Sequence, residues 1–201
     1  MLQNPGFDIL GKVTEITFQM FMSKKLDKQF GESFRPNQIK CKSWLVEEIS
    51  KFGTKWDNVL VLGSWNSILL YELMKYNCNV GWYDFVDINP IVHKQRDLYF
   101  DINNMEKNYN SIQCDALDYS EPHSNYDLVI NCSCEHMKDI SADYGPTYAL
   151  QSNDYEGIKG HINLVKSTEE LALKNNITDI LYQDSMDMEN YTRFMVIGYY
   201  Y

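Results

Sequence analysis

The segment NVLVLG, residues 58–63, decides the fold of this 201-residue chain. An unbroken apolar run closed by glycine is typical of a strand that is buried on both faces of a parallel sheet. Apolar residues at helical spacing follow over residues 68–74. A buried strand followed directly by a helix is the first half of a βαβ unit, so these two segments place the chain in the α/β class.

The alternation of strands and helices continues to the end of the chain. Further strands are predicted at residues 80–86, 111–114, 126–131, 147–151, 177–182 and 193–199, and further helices at 91–105 and 167–174. Only about ten residues join the last two strands. That is too few for a parallel crossover, so these strands should form an antiparallel pair. The prediction is a Rossmann-like, doubly wound α/β fold, a three-layer sandwich with a mostly parallel seven-stranded sheet and an antiparallel last strand.

The N-terminal quarter of the chain is predicted to be helical. Apolar residues over 9–20 recur at steps of four, three and four, which suits an amphipathic helix that ends at Gly31. A second helix is expected to begin with Asn37 as its cap and to end at Gly53. All 201 residues are thus predicted to form a single domain with an N-terminal helical extension over about 1–53.

Composition limits the partners and the compartment. The net charge of −10 and the pI near 4.8 disfavour general binding of DNA or RNA. The five cysteines are odd in number and irregularly spaced, so a reducing compartment fits better than a disulfide framework. The sequence has no signal-peptide pattern, and no stretch approaches the roughly 20 apolar residues that span a bilayer. We therefore expect a cytoplasmic protein without a membrane partner; its oligomeric state stays open.

Polar residues stand where successive predicted strands end. Gly63 closes the first strand, Asp87 closes the second 24 residues later, and Asp115 follows the third. In an open parallel sheet, ligands bind outside these carboxyl ends. The glycine lets a ligand approach the backbone at the start of a helix. One carboxylate can accept the two hydroxyls of a ribose and the next an adenine amine, so the pattern predicts an adenosine compound as ligand.

These segments resemble the class I S-adenosylmethionine (SAM)-dependent methyltransferases. The resemblance covers roughly residues 37–200 and is carried by VLVLG at 59–63, FVDINP at 85–90, QCDA at 113–116 and YDLVIN at 126–131. It implies SAM as the cofactor. The SAM-binding residues that it implies are Gly63, Ser64, Trp65, Asn66, Asp87, Ile88, Asn89, Asp115, Ala116, Asn131 and Ser133.

A narrower similarity is to small methyltransferase-like proteins of bacteriophages. It is carried by RPNQ at 35–38, SCEHM at 133–137, LQSN at 150–153 and RFMVIG at 193–198. The narrower similarity names no acceptor.

The glycine-rich first motif of the methyltransferases is reduced in this chain. Where that family usually has G-x-G-x-G, only Gly63 remains, followed by SWNS over 64–67. Trp65 would crowd the loop along which the methionine part of SAM lies. A dinucleotide-binding dehydrogenase is disfavoured, because its pyrophosphate needs those glycines. No Asn/Asp-Pro-Pro-aromatic motif follows the fourth strand, so methylation of a base amine has no support.

The segment NCSCEH at 131–136 is the candidate for catalysis. Glu135 and His136 can each remove a proton from an acceptor; the simpler alternative is that both only fix their loop. Cys132, Cys134 and His136 lack the second ligand pair of a structural zinc site, so no metal is predicted. Ordinary buried cysteines are favoured over a cysteine nucleophile.

Three functions remain open from the sequence. The leading interpretation is a SAM-dependent methyltransferase that acts on a small molecule or a protein side chain, through proximity, alignment and a base where the acceptor carries a proton. The second is an enzyme that consumes SAM differently, as a lyase or an aminocarboxypropyl transferase. The third is a non-catalytic module that binds an adenosine ligand.

Overall fold

The computed structural model describes residue 11 and residues 28–201, so the pattern over 9–20 lies almost wholly outside the described residues. The helices are α1 (Lys28–Glu32), α2 (Pro36–Phe52), α3 (Ile68–Asn77), α4 (Pro90–Ile102) and α5 (Thr168–Lys174). The strands are β1 (Lys55–Leu62), β2 (Asn79–Asp87), β3 (Tyr109–Gln113), β4 (Leu128–Asn131), β5 (Thr147–Asn153), β6 (Asp179–Asp187) and β7 (Thr192–Tyr199). Short 3₁₀ turns span His123–Asn125 and Cys134–His136. Within these described ranges, no helix has the length and apolar character that crossing a membrane requires.

The seven strands of the described residues form one sheet in the order β3-β2-β1-β4-β5-β7-β6. Strands β1 to β5 are parallel, and β7 is antiparallel to both of its neighbours, β5 and β6. The predicted Rossmann-like fold is therefore confirmed. Strands β1, β2 and β3 lie side by side in chain order, and β4 then pairs with the other edge of β1, so the strand order reverses there. Ligands bind such sheets at this reversal point, outside the carboxyl ends of the strands.

Strand β1 contributes side chains to both of the hydrophobic cores that flank the sheet. Val59 and Val61 pack into a core shared with α2, α3 and α4, whereas Leu60 and Leu62 pack into a core shared with α5. All four side chains are at most 2% exposed. Burial on both faces is the reason that this strand has no polar alternation in its sequence.

The structure differs from the sequence-based prediction at several element boundaries; α4, for example, ends at Ile102 and not at residue 105. Gly31 lies inside α1 and does not end a helix. The N-cap of α2 is Arg35 rather than Asn37, because a proline in the first turn presets the helical φ without a side-chain cap. Strand β6 continues to Asp187, past the predicted end at residue 182. Its second half is a largely exposed edge, where polar residues are tolerated and no apolar pattern marks the strand.

We predict that Gly198→Ala destabilises the edge of the sheet where β6 and β7 pair. A Cβ atom on Gly198 would lie 2.3 Å from the carbonyl oxygen of Asp179 and 2.8 Å from Cγ2 of Ile177. The two strands would have to separate locally, so the free energy of unfolding should fall by about 2 kcal/mol, as at other overpacked sites. Urea denaturation measures this change.

Gly31→Ala is the matched control. A Cβ atom there meets no atom of the described residues within 4 Å, and the residue is helical. The same substitution should therefore be neutral or should stabilise the fold by up to about 1 kcal/mol. Equal losses in the two variants would contradict the steric explanation.

Candidate ligand-binding site

A cavity of about 340 Å³ opens at the carboxyl edge of the parallel strands. This volume lies at the lower end of the range of small-molecule sites. The cavity is lined by Gly63, Trp65, Asp87, Ile88, Asp115, Ala116, Leu117, Ser133, His136, Met137, Lys138 and Ile162. The segments after β1, β2, β3 and β4 therefore meet at one place, as parallel strands require.

The loop between β1 and α3 keeps a glycine-like backbone although it has one glycine. Gly63, Trp65 and Ser67 have φ of +56°, +50° and +51°. The left-handed region costs about 1 kcal/mol or more for a residue with a side chain. At Gly63 itself a Cβ atom would lie 2.6 Å from Cε of Met137, so the backbone is open to the cavity only because the residue is glycine.

Trp65 is the departure from the family pattern that most affects the site. Its side chain lines the cavity and is 39% exposed, so it forms part of the wall. Ser64 and Asn66, its two neighbours, are buried and do not line the cavity. They hold the loop from within: Asn66 donates from Nδ2 to Ser33 Oγ at 2.7 Å, and Ser64 donates to the Trp65 carbonyl at 3.2 Å.

Arg96 on α4 holds this loop in place. Its guanidinium donates to the carbonyls of Trp65 at 2.7 Å and Asn66 at 3.1 Å, and to Ser64 Oγ at 3.0 Å. The side chain is 1% exposed, and its charge lies 4.2 Å above the ring of Phe85. Burial lowers the pKa of Arg96 to about 10, which leaves it charged at neutral pH. The role of Arg96 could not be predicted from the sequence, because nothing near residue 96 indicates that it contacts a loop 30 residues earlier.

Asp87 braces the same loop from β2. Its Oδ2 accepts the Trp65 N–H at 2.7 Å, and its Oδ1 accepts the Asn89 N–H at 2.9 Å. Asp87 and the exposed Ile88 line the cavity, whereas Asn89 caps α4 by accepting the Ile91 N–H at 3.0 Å. The carboxylate thus fixes the loop and still faces the cavity.

The segments after β3 and β4 complete the wall. Asp115 is exposed and accepts the Leu117 N–H at 3.0 Å, and Ala116 is buried beside it. Ser133 lines the cavity and donates to the Gly63 carbonyl at 3.3 Å. Asn131 is fully buried behind it and accepts the Ser133 N–H at 2.8 Å, so it supports the wall rather than forming it.

The two residues predicted as catalytic face different surroundings. His136 lines the cavity, whereas Glu135 is 4% exposed and lies behind the wall. Glu135 Oε1 accepts from Nη1 of Arg193 and from Nδ2 of Asn153, both at 2.7 Å. Burial lowers the pKa of Arg193, but the nearby carboxylate of Glu135 raises it, and the net shift is upward. A carboxylate committed to this ion pair does not reach an acceptor, which argues against Glu135 as the base.

The cysteines of this segment are free thiols. Burial raises the pKa of both Cys132 and Cys134. A thiol that stays protonated is a poor nucleophile and a poor metal ligand. This placement disfavours the cysteine nucleophile that the sequence left open.

The structure brings most of the predicted residues together and adds others. Gly63, Trp65, Asp87, Ile88, Asp115, Ala116, Ser133 and His136 line the cavity, whereas Ser64, Asn66, Asn89, Asn131 and Glu135 are not among its lining residues. Sequence reasoning missed Leu117, Met137, Lys138 and Ile162. The first three lie within two residues of predicted ones and could have been included, whereas Ile162 comes from the loop after β5.

Solved structures resemble this chain in fold, at low identity. The N-methyltransferase NodS from Bradyrhizobium japonicum, in complex with S-adenosylhomocysteine (SAH), matches with a TM-score of 0.63 and 10% identity over 90% of this chain and 98% of its own. A SAM-dependent methyltransferase from Aquifex aeolicus matches with a TM-score of 0.52 and 18% identity over 82% of this chain and 98% of its own. A geranyl diphosphate methyltransferase in complex with sinefungin matches with a TM-score of 0.58 and 10% identity over 80% and 77%.

No protein-family profile and no curated protein matches the sequence. The structural likeness spans most of the chain and nearly all of two of these proteins. At these identities it establishes the fold, and the chain therefore has the Rossmann-like fold of the class I SAM-dependent methyltransferases.

Proposed function

We propose that the chain is a SAM-dependent methyltransferase acting on a small molecule or a protein side chain. The observation that carries the proposal is the loop after β1. It has a glycine-like backbone, is fixed by two charged residues and lies against a cavity at the carboxyl edge of the sheet. Only the first residue of the loop, Gly63, is a glycine, so the charged partners are needed to keep the left-handed backbone conformation of the others. A loop held in this way is organised for a ligand.

The cavity has the groups that SAM needs. Gly63 exposes the backbone where the methionine part would lie, and Asp87 faces the position of the ribose. Asp115 and Ala116 stand where an adenine would lie, with Leu117 as an apolar neighbour. When bound, SAM supplies a methyl group activated by its sulfonium charge. Five predicted residues that do not line the cavity act on SAM by positioning these groups. They are Ser64, Asn66, Asn89, Asn131 and Glu135.

His136 is the residue that we place at the acceptor. It lines the cavity on the side of β4, across from the loop after β1, and the exposed Lys138 lies beside it. A small-molecule acceptor is favoured by the geranyl diphosphate methyltransferase among the similar structures. The net charge of −10 supports an acceptor other than DNA or RNA.

Two other functions use the same cavity. A SAM lyase or an aminocarboxypropyl transferase would release methylthioadenosine instead of SAH, so the products separate it from methyl transfer. A non-catalytic module would bind SAM without turnover. The similarity to bacteriophage proteins and the cytoplasmic location stay predictions.

We predict that the purified chain binds SAH with micromolar affinity and that Asp87→Asn weakens this binding by about 10-fold or more. Asparagine keeps one acceptor oxygen but replaces the other by an NH2 donor and removes the charge, and hydrogen bonds to a charged group contribute about 1.5–3 kcal/mol. Calorimetric titration with SAM and SAH measures the affinity, and mass spectrometry identifies the product.

Asp118→Asn is the matched control, because Asp118 is exposed and lies outside the residues that line the cavity. It should bind SAH as the wild type does. Thermal denaturation of both variants separates loss of binding from loss of fold. Absence of binding to SAM and SAH by the folded wild type would overturn the proposal.

We predict that Arg96→Lys releases the loop after β1. A lysine keeps the charge, but its single nitrogen cannot replace both Nε and Nη2, from which Arg96 donates to the loop. The free energy of unfolding should fall by about 2–3 kcal/mol because buried carbonyls lose their donors, and SAH affinity should fall at least as much as in Asp87→Asn. Arg35→Lys, at an exposed ion pair with Glu32, is the control and should change neither quantity. Retention of full SAH affinity in Arg96→Lys would show that the loop does not need this clamp.

A further inference from the structure

Three potential metal ligands lie together, and one of them, His136, lines the cavity. One carboxylate oxygen of Glu135, one ring nitrogen of His136 and one ring nitrogen of His161 are all within 4.8 Å of one another. Glu135 and His136 belong to the 3₁₀ turn after β4, whereas His161 belongs to the loop after β5. His161 lies 25 residues beyond His136, so the sequence does not indicate this set of ligands.

The carboxylate of Glu135 is held so that one of its oxygens remains available. Oε1 accepts both hydrogen bonds, from Asn153 and from Arg193. Oε2 is buried and accepts no hydrogen bond from any described residue. Leaving a buried carboxylate oxygen without a donor is unfavourable. A cation beside Oε2 would satisfy it.

The two imidazoles are oriented as metal ligands usually are. Nδ1 of His161 lies 2.7 Å from the carbonyl oxygen of Tyr155, which places its proton there and leaves the lone pair on Nε2. His136 interacts with the backbone of Gly160, and the two rings meet edge to face with centroids 4.6 Å apart. Metal-binding histidines typically donate their second nitrogen to a carbonyl or carboxylate, which fixes the tautomer.

The backbone fixes the distance between the two histidines. The N–H groups of Ile162 and Asn163 donate to the carbonyl of Glu135 at 2.9 and 3.2 Å. Gly160 has a φ of +109°, a conformation that favours glycine, and its hydrogen on the Cβ side faces Nδ1 of His136. The loop that carries His161 is thus docked on the turn that carries Glu135 and His136.

We propose that Glu135, His136 and His161 bind a divalent first-row transition metal ion such as Zn²⁺ or Co²⁺. Two imidazoles and one carboxylate are the protein ligands of many catalytic zinc sites, in which a further position stays open for water or substrate. His136 and Ile162 line the cavity, so the open position faces it.

A role of the metal ion in methyl transfer rests on the proposed function. An acceptor hydroxyl bound at the open position has a lowered pKa and releases its proton to solvent. Its oxygen then forms a C–O bond with the methyl group as the C–S bond of SAM breaks, and SAM leaves as neutral SAH. In this arrangement His136 is a ligand rather than the base, and the acceptor is an alcohol or a phenol.

The test measures metal binding directly, on the full chain without a histidine tag and after removal of metals by a chelator. Calorimetric titration with Zn²⁺ should give one site per chain, and Co²⁺ should give a visible absorption band of a protein-bound ion. His161→Ala should weaken Zn²⁺ binding by about 100-fold or more, because loss of an outer-shell partner alone costs about 10–100-fold. His136→Ala should do the same.

Asp139→Asn is the matched control, because Asp139 is an exposed carboxylate three residues after His136 whose side chain, among the described residues, accepts only from Nδ2 of Asn163. It should bind Zn²⁺ as the wild type does. Thermal denaturation without metal should be unchanged in His161→Ala, whose side chain is only half-buried, so lost binding would not reflect a lost fold.

The outcomes separate the two proposals because SAH binding is measured in parallel. Absence of Zn²⁺ and Co²⁺ binding, or equal binding by wild type and His161→Ala, overturns the metal site even if SAH binds. Metal binding that depends on His161, in a chain that binds neither SAM nor SAH, upholds the metal site and overturns the methyltransferase.

Discussion

The hydrogen bonds from buried Arg96 to the carbonyls of Trp65 and Asn66 are the interaction on which the site depends. Residues with side chains need additional contacts to stay in a left-handed turn, because other backbone conformations are more favourable for them. Its carbonyls also point inward, where water cannot reach them. The planar guanidinium satisfies several acceptors at once, and the face of Phe85 compensates part of the lost hydration of the charge. The loop is therefore fixed before any ligand arrives.

A second buried guanidinium does the same for the neighbouring strand. Arg193 on β7 donates to the carbonyl of Cys132, just after β4, and forms an ion pair with Glu135 at 2.7 Å. Strands β1 and β4 are adjacent, with Leu62 opposite Asn131 at their carboxyl ends. The two loops that meet at the reversal point of the sheet are thus each fixed by an arginine from a distant part of the chain.

The sequence predicted the parts of the molecule that depend on local pattern. The apolar run over 58–63 predicted a central strand, and the strand ends predicted where Gly63, Asp87 and Asp115 would meet, because parallel strands bring their carboxyl ends to one edge. Asn37 was wrong as a cap because a proline had already preset the helix. The side chains of Ser64 and Asn131 point away from the cavity for a reason that no linear pattern contains, namely which donors and acceptors surround them.

What the sequence could not predict are the contacts between distant segments. Arg96 and Arg193 each lie in an element whose periodicity explains a buried position but not a buried charge, and only the folded chain shows the carbonyls they satisfy. His161 lies in an irregular loop, 25 residues beyond His136 in the sequence. Composition and spacing give no reason to pair these two histidines.

The two arginine clamps divide the cavity into halves with separate supports. The half formed by the loop after β1 and by Asp87 depends on Arg96, and no hydrogen bond of Arg96 reaches the turn after β4 among the described residues. The half formed by the turn after β4 depends on Arg193 through Glu135 and Cys132. The halves are joined by the pairing of β1 with β4 and by the 3.3 Å hydrogen bond from Ser133 to the Gly63 carbonyl. Each half can therefore change its ligand chemistry while the other keeps its geometry, which explains how a reduced glycine motif on one side can coexist with an unusual set of histidines on the other.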